Sequence, residues 1–124
     1  MAAAVEAISG PQDFITTHNN KFIKRRDLVV NKLNEIDGIT CSKPDGAFYV
    51  YPNCQGILGK QTPNGVKISN DEDFMTYLLE DQGVAGVHGS AFGLSPYFRL
   101  SYATGDDILK DACNRIQLAC SKLK

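Results

Sequence analysis

The sequence predicts one α+β domain, in which a small antiparallel or mixed sheet carries helices packed on one face. The chain has 124 residues, which suits a single domain spanning 1–124, and 43% of them are hydrophobic, which is sufficient for a core. Its candidate elements follow one another as helix, strand, helix, two strands and helix, without internal repeats.

Two helical segments precede the first predicted strand. Residues Ala2–Ile8 favour a helix without a capping residue, and the Ser-Gly-Pro run at 9–11 interrupts it. The uncapped start suggests a chain cut from something longer. A long helix follows from Pro11 and ends at Asp37-Gly38, where glycine can adopt a left-handed conformation. Its apolar stripe has helical spacing and comprises Ile15, Phe22, Val29, Leu33 and Ile36.

The middle of the chain is predicted to contain one strand and one helix. The aromatic and β-branched run Ala47–Tyr51 is typical of a strand and is stopped by Pro52. Residues 53–68 are glycine-rich and polar, as in a long surface connection. Ser69 and Glu72 match a capping box, which predicts a helix that ends at Gly83.

The last third is predicted to form two strands and a helix. The strands are expected at Val84–Val87 and Tyr97–Ala103, separated by a loop of small residues at 88–93. Residues 104–107 are expected to cap the final helix. Its apolar face repeats at spacings of three and four and comprises Leu109, Ala112, Cys113, Ile116, Ala119, Cys120 and Leu123.

Charge and cysteine content exclude several classes of function. The net charge is −1, so we expect no nucleic-acid partner, and no apolar run is long enough to cross a bilayer. The four cysteines form no C-x-x-C pair, and only two histidines are present, so no metal site is expected. Cys113 and Cys120 are interpreted as buried free thiols, and a cytoplasmic location fits them.

Two side chains are candidates for chemistry. Strand alternation places Arg99 on the face opposite to Phe98 and Leu100. Its planar guanidinium suits a bound carboxylate, but composition alone favours an internal salt bridge or an exposed strand face. His88 follows a predicted strand, and a solvent-exposed loop histidine is favoured over a general base, because no nucleophile and orienting acid can be identified with it.

Five motifs occur in the order and at the distances expected of one family. They are Gly-Pro-Gln-Asp-Phe at 10–14, Arg-Arg-Asp-Leu-Val-Val at 25–30, Pro-Asp-Gly-Ala-Phe-Tyr-Val at 44–50, Gly-Ser-Ala-Phe-Gly at 89–93 and Tyr-Phe-Arg-Leu-Ser-Tyr-Ala at 97–103. Together they are similar to the C-terminal small domain of class I pyridoxal-phosphate-dependent aminotransferases, in the subgroup of bacterial aspartate aminotransferases, some of which also act on prephenate. The resemblance covers essentially the whole chain.

The resemblance implies roles for two residues. Arg99 matches the arginine that binds the substrate α-carboxylate, and Phe48 matches a position on the substrate side of the small domain. It also implies a complete enzyme, expected to be a homodimer, that transfers an amino group between L-aspartate and a 2-oxo acid such as 2-oxoglutarate through pyridoxal 5'-phosphate.

The family's cofactor chemistry is not expected within this chain. Transamination needs a lysine for the Schiff base and anion-binding groups for the phosphate. Neither Lys43 nor Lys122 matches the family's lysine segment, and the large cofactor-binding domain is absent from this sequence. We therefore expect no catalytic or cofactor-binding residue here, no bound cofactor, and a catalytically inactive chain that tends to self-associate.

Two alternatives remain open at this point. One is a non-enzymatic α+β module that binds a small carboxylate or a protein partner. The other is the small domain of another class I aminotransferase with a different substrate, because the residues that contact the substrate side chain are not in this sequence.

Overall fold

The computed structural model describes all 124 residues and contains four α-helices and a three-stranded sheet. Two short 3-10 turns, Gln55–Ile57 and Gly89–Phe92, lie in the connections. The helices are α1 (Ala2–Ser9), α2 (Asp13–Asn34), α3 (Asp71–Gln82) and α4 (Asp106–Ser121), and the strands are β1 (Tyr49–Val50), β2 (Val87–His88) and β3 (Phe98–Ser101).

The sheet is antiparallel throughout, in the order β1-β3-β2. Tyr49 pairs with Ser101 and Val87 pairs with Arg99, so the last strand in the sequence lies at the centre of the sheet. The predicted α+β class with helices against a small sheet is confirmed.

One face of the sheet packs against the helices and forms the core. Val50 and Phe98 are completely buried on this face, and the Phe98 ring meets the Phe74 ring of α3 edge-on at a centroid distance of 5.5 Å. Helix α4 packs against both α2 and α3 and contributes Ile116, while α2 contributes Leu33. The alternate apolar residues of β3, Phe98 and Leu100, therefore point towards the core, as the sequence pattern predicts.

The strands are shorter than predicted, for local reasons. Ala47 has a φ of 60°, which interrupts the extended backbone of the predicted strand at 47–51. The strand predicted at 84–87 is wrong for its first residues: the Val84 amide donates to the Leu78 carbonyl at 3.2 Å and so completes the end of α3. The strand β2 begins only at Val87.

The long helix is also shorter than its apolar stripe predicts. It starts at Asp13 rather than Pro11 and ends at Asn34 rather than at Gly38. Beyond it, the Ile36 amide bonds to Leu33 and the Ile39 amide bonds to Ile36, which are turns of the tighter 3-10 type. None of the helices is long and apolar enough to span a bilayer.

The N-terminal cap of α3 is displaced by one residue from the predicted capping box. Asn70, not Ser69, is the capping residue, and its side-chain oxygen accepts from the Asp73 amide at 2.8 Å. The Asp73 carboxylate accepts in return from the Ser69 amide at 2.9 Å. The predicted C-terminus is confirmed at Gly83, whose φ of 65° is left-handed.

This cap predicts opposite results for two neighbouring substitutions. We expect Asn70→Ala to lower the free energy of unfolding by about 1 kcal/mol, because the Asp73 amide loses its acceptor. Ser69→Ala should leave stability nearly unchanged, because the Ser69 side chain makes no hydrogen bond. Urea denaturation of both variants checks the pair, and equal losses would contradict the assigned cap.

Candidate functional site

Arg99 lies at the centre of the sheet, on the face away from the helices. It occupies the second position of β3, and its guanidinium carbon lies 4.4 Å from the ring centre of Tyr49 and 4.6 Å from that of Phe92. Tyr49 belongs to β1, whereas Phe92 comes from the turn that precedes β3. Contacts with two aromatic rings restrict the orientations of the guanidinium and leave its N–H groups free to bind an anion.

Arg99 is the only arginine without a carboxylate partner. Arg25 pairs with Asp106 at 2.8 Å, Arg26 with Asp27 at 3.0 Å and Arg115 with Asp111 at 2.7 Å. No carboxylate lies within 4.0 Å of the side-chain nitrogens of Arg99, and its guanidinium donates no hydrogen bond to the protein. Of the two interpretations that composition favoured, the internal salt bridge is therefore wrong, and the Arg99 side chain lies half-buried on the open face of the strand.

Two tyrosines extend the aromatic surface beside Arg99. The Tyr51 and Tyr97 rings stack with a centroid distance of 5.6 Å and an interplanar angle of 13°. The Tyr51 hydroxyl donates to the Gly89 carbonyl at 3.1 Å. Burial raises the pKa of Tyr51, and the negative charge of Asp71 adds to this effect, while the positive charge of Arg99 opposes it. Tyr51 thus stays protonated at neutral pH and acts as a hydrogen-bond donor.

The turn at Gly89–Phe92 approaches the sheet closely at its first residue, Gly89. The Gly89 amide donates to the Tyr97 carbonyl at 2.6 Å, and a Cβ at this position would collide with the carbonyl oxygens of Leu94 and Tyr97. Only glycine permits this approach, because the contacts are with backbone atoms, which cannot rotate away. The Gly-Ser-Ala-Phe-Gly segment thereby places Phe92 over the sheet.

Phe48 is half-exposed at the edge of the site. The Tyr102 hydroxyl donates to the Ala47 carbonyl at 2.7 Å, and the Tyr102 amide donates to the Phe48 carbonyl at 2.8 Å. The Phe48 ring lies 4.7 Å from that of Tyr49 and 6.4 Å from that of Phe22 in α2. It lines a groove of about 450 Å³ between α2 and the turn at 45–47, and Arg99 is not among the residues that line it. The Tyr49 ring is the contact that Phe48 and Arg99 share.

The turn before Phe48 is held by charged side chains of α2. Arg26 donates to the Pro44 carbonyl at 3.2 Å and to Asp27 at 3.0 Å, and Lys43 pairs with Asp27 at 2.9 Å. The hydrogen bond from Lys43 is the main cause that lowers the pKa of Asp27. These contacts anchor the segment that carries Phe48.

The histidine and the cysteines add no reactive group. His88 lies in β2 opposite Phe98 and is half-buried, so the predicted exposed loop position is wrong, because pairing with β3 draws it into the sheet. It makes no side-chain hydrogen bond. All four cysteines are buried and free, which confirms the prediction for Cys113 and Cys120, and burial raises the pKa of Cys54 and Cys120 to about 12. No group of three metal-ligating side chains is present.

Comparisons with known proteins place this geometry in a family. The model of aminotransferase class I and II matches residues 1–116. The chain belongs to the class I and II aminotransferases. This membership confirms the family resemblance carried by the five motifs.

Two further comparisons describe individual relatives. An aspartate/prephenate aminotransferase of Cereibacter sphaeroides is 57% identical over 121 residues, which cover 98% of this chain and 30% of the relative. The crystal structure of the Rhizobium meliloti aspartate aminotransferase is 57% identical, with a TM-score of 0.97 over 99% of this chain and 31% of the other. An alanine aminotransferase from Pyrococcus furiosus is 32% identical, with a TM-score of 0.84 over 96% and 28% of the two chains. The chain therefore spans about 30% of the length of the relatives it matches.

Membership in the aminotransferase family implies pyridoxal 5'-phosphate as the cofactor of a complete enzyme. Lys43 and Lys122, the two lysines that follow a serine, do not fit the role of its Schiff-base partner. Lys43 is paired with Asp27 and Lys122 with Asp81 at 2.9 Å, and neither borders the aromatic surface beside Arg99. The open guanidinium of Arg99 is chemically suited to an anionic ligand.

Sequence reasoning named Arg99 and Phe48 but missed the aromatic residues around the guanidinium. Tyr49 and Tyr51 are two residues apart, so they project from the same face of β1. Because β1 pairs with β3, this is the face on which Arg99 lies, and the spacing of the two tyrosines could have indicated a shared surface. Phe92 carried no such signal, because its position depends on the folding of a turn over the sheet.

Proposed function

We propose that this chain is the part of an aspartate aminotransferase that binds the substrate α-carboxylate through Arg99. The observation that carries the proposal is the unpaired guanidinium of Arg99 on the open face of the sheet, while every other arginine has a carboxylate partner. A charged group held in place without a counter-ion favours binding of an anion, and the planar fork of arginine matches a carboxylate through two parallel hydrogen bonds.

The surroundings of Arg99 suit a small amphipathic ligand. The rings of Tyr49 and Phe92 hold the guanidinium, so less side-chain entropy is lost when a carboxylate binds. Phe48 contacts the Tyr49 ring but lines the neighbouring groove beside α2, so its place on the substrate side of the complete enzyme is supported by the family resemblance and not by contact with Arg99. A small amino acid or 2-oxo acid fits this combination of one charged contact and apolar walls.

We infer the reaction from the relatives. The complete enzyme would transfer an amino group between L-aspartate and a 2-oxo acid such as 2-oxoglutarate, with pyridoxal 5'-phosphate supplying the carbonyl chemistry. The contribution of this chain is to bind and orient the substrate. The lysine and the phosphate-binding groups would come from the part of the enzyme that these residues do not include, so the chain alone is expected to be inactive.

A chimeric enzyme tests this function directly. The 124 residues would replace the matching segment of the Rhizobium meliloti aspartate aminotransferase, whose backbone is nearly superposable. We expect the chimera to transaminate L-aspartate with 2-oxoglutarate. A chimera that folds and holds its cofactor but transfers no amino group from any amino acid would contradict the proposal.

The chimera also separates the two alternatives. A non-enzymatic carboxylate-binding module predicts an inactive chimera, together with carboxylate binding by the chain alone. A different aminotransferase, such as one for alanine, predicts activity that prefers another amino acid over L-aspartate. We favour aspartate because the more similar relatives are named for it.

Reduction with borohydride tests the expected lack of a cofactor lysine. After incubation of the chain with pyridoxal 5'-phosphate and reduction, peptide mapping should show weak labelling spread over several exposed lysines. Stoichiometric labelling of one lysine would contradict the assignment of the cofactor chemistry to another part of the enzyme. The chimera, which includes the relative's lysine, provides the positive control.

The assembly of the chain remains a prediction. Helix α1 has no buried residue, and Val5 and Ile8 are exposed on it. Such exposed apolar side chains promote association. The complete enzyme is expected to be a homodimer, and sedimentation of the chain at rising concentration would check its self-association.

A further inference from the structure

Asp71 is the only buried charged side chain of the protein. It is the first residue of α3, and its side chain is completely shielded from solvent. No lysine, arginine or histidine forms an ion pair with it. A buried carboxylate without a cation is costly unless hydrogen bonds replace its lost hydration. The groups that donate hydrogen bonds to the Asp71 carboxylate therefore determine what this side chain does.

Both partners of Asp71 lie in the segment before β3. One carboxylate oxygen accepts from the Ser90 amide at 2.8 Å, and the other accepts from the Ser95 hydroxyl. Burial raises the pKa of the Asp71 carboxyl, but the hydrogen bonds from Ser95 and Ser90 outweigh it, so its pKa lies below the ordinary value. Asp71 is thus ionised at neutral pH and accepts from both serines.

Ser90 and Ser95 stand on either side of Phe92. We call residues 89–96 the Phe92 loop. Within the loop, the Leu94 amide bonds to the Gly89 carbonyl at 3.0 Å, so its two ends are close together. The Asp71 carboxylate accepts hydrogen bonds from both ends of the loop, at Ser90 and Ser95. The Phe92 ring, which lies between these two residues in the sequence, contacts the Arg99 guanidinium.

We propose that Asp71 is a positioning residue for the Arg99 site. By accepting hydrogen bonds from Ser90 and Ser95, it fixes the Phe92 loop so that the Phe92 ring holds the Arg99 guanidinium in one orientation. The proposal deepens the proposed function and rests on it for the claim that the oriented guanidinium binds a carboxylate. Loss of this order should weaken carboxylate binding roughly 2- to 10-fold, the effect of immobilising one flexible side chain during binding.

Nuclear magnetic resonance of the chain without ligand provides the primary test. The rings of Tyr49 and Phe92 shift the resonances of the Arg99 δ-methylene and Nε–H groups by their ring currents. Phe92→Leu defines the change when one ring is lost. We expect Asp71→Ala to move the Arg99 resonances at least half of the way to their positions in Phe92→Leu.

Two further variants distinguish positioning from a general structural effect. In Asp71→Asn, the amide oxygen can accept from the Ser90 amide and the amide nitrogen can donate to the Ser95 hydroxyl, so near-native Arg99 resonances are expected. Asp73→Ala is the matched control. It removes a carboxylate from the same helical turn, where Asp73 accepts only from Ser69, outside the Phe92 loop.

The outcomes are separable. The proposal is overturned if Asp71→Ala leaves the Arg99 resonances native, if Asp71→Asn moves them as far as Asp71→Ala does, or if Asp73→Ala moves them equally. If Asp71→Ala does not fold, Ser95→Ala, which removes one of the two hydrogen bonds, takes its place and must move the same resonances in the same direction.

The second test is a titration of the chain and its variants with succinate at constant ionic strength, which measures carboxylate binding. We expect the dissociation constant at Arg99 to rise roughly 2- to 10-fold in Asp71→Ala and to stay native in Asp73→Ala. A native dissociation constant in Asp71→Ala would overturn the effect on binding. If the wild-type chain binds no succinate while the resonance shifts follow the expectation, the proposed function fails and the positioning role of Asp71 stands.

Discussion

Replacing Arg99 with glutamine in the chimeric enzyme is expected to lower kcat/KM for L-aspartate roughly 30- to 5,000-fold, because truncating one partner of a close charge pair costs about 2–5 kcal/mol. The substrate α-carboxylate keeps its charge throughout the reaction, so its contact with Arg99 stabilises ground and transition states alike. Most of the loss should therefore be a rise in KM, with a smaller change in kcat. Steady-state kinetics over a range of aspartate concentrations measures both.

Two variants complete the Arg99 experiment. Arg99→Lys keeps the positive charge but loses the planar fork, so an intermediate defect is expected. Arg115→Gln is the matched control, because its ion pair with Asp111 is exposed and contributes little. A change of less than threefold in Arg99→Gln, with native circular dichroism, would remove Arg99 from the substrate site.

Phe98→Ala is expected to lower the free energy of unfolding of the chain by about 3–5 kcal/mol, the largest effect of any single substitution considered. Phe98 is completely buried at the centre of the sheet, and its ring packs edge-on against Phe74 of α3. Its removal leaves a cavity that the central strand cannot close without breaking its pairing with β1 or β2. Urea denaturation with two spectroscopic probes measures the loss.

Phe14→Ala is the control for the size of the residue removed. Phe14 lies on α2 and is 51% exposed, so its removal should change the free energy of unfolding by about 0.5 kcal/mol or less. Comparable losses in Phe14→Ala and Phe98→Ala would mean that the core does not lie where the structure has it. The comparison also matters for Arg99, because Phe98 supports the strand from which that side chain projects.

The hydrophobic pattern was sufficient to predict the class of the fold and the face of β3 on which Arg99 lies. Period-two alternation separates Arg99 from Phe98 and Leu100, and period 3.6 identifies the buried face of α4. These features depend on the burial of apolar side chains, and the free energy gained by burying each one is proportional to its own apolar area. For the same reason, the buried cysteines of α4 could be predicted from their spacing.

The ends of the elements depended on hydrogen bonds that a pattern does not contain. Val84 has the composition of a strand residue, but its amide completes the end of α3 instead. Ser69 matches a capping box, yet Asn70 is the residue whose side chain reaches the helix. In each case two acceptable local arrangements differ by about 1 kcal/mol, and contacts with the rest of the molecule select between them.

The site shows the same division between local and long-range information. Local sequence placed a guanidinium on one face of a strand, because side-chain direction in a strand follows from covalent geometry. That Tyr49 and Tyr51 lie on the same face as Arg99 depends on the pairing of β1 with β3. Only the assembled fold shows that Arg99 has no carboxylate partner and that Phe92 packs against it. The same is true of the hydrogen bonds from the Phe92 loop to Asp71, which join residues 19 and 24 positions apart in the sequence. Such contacts join residues that are far apart along the chain, and their free energy depends on distances that only the packing of helices against the sheet establishes.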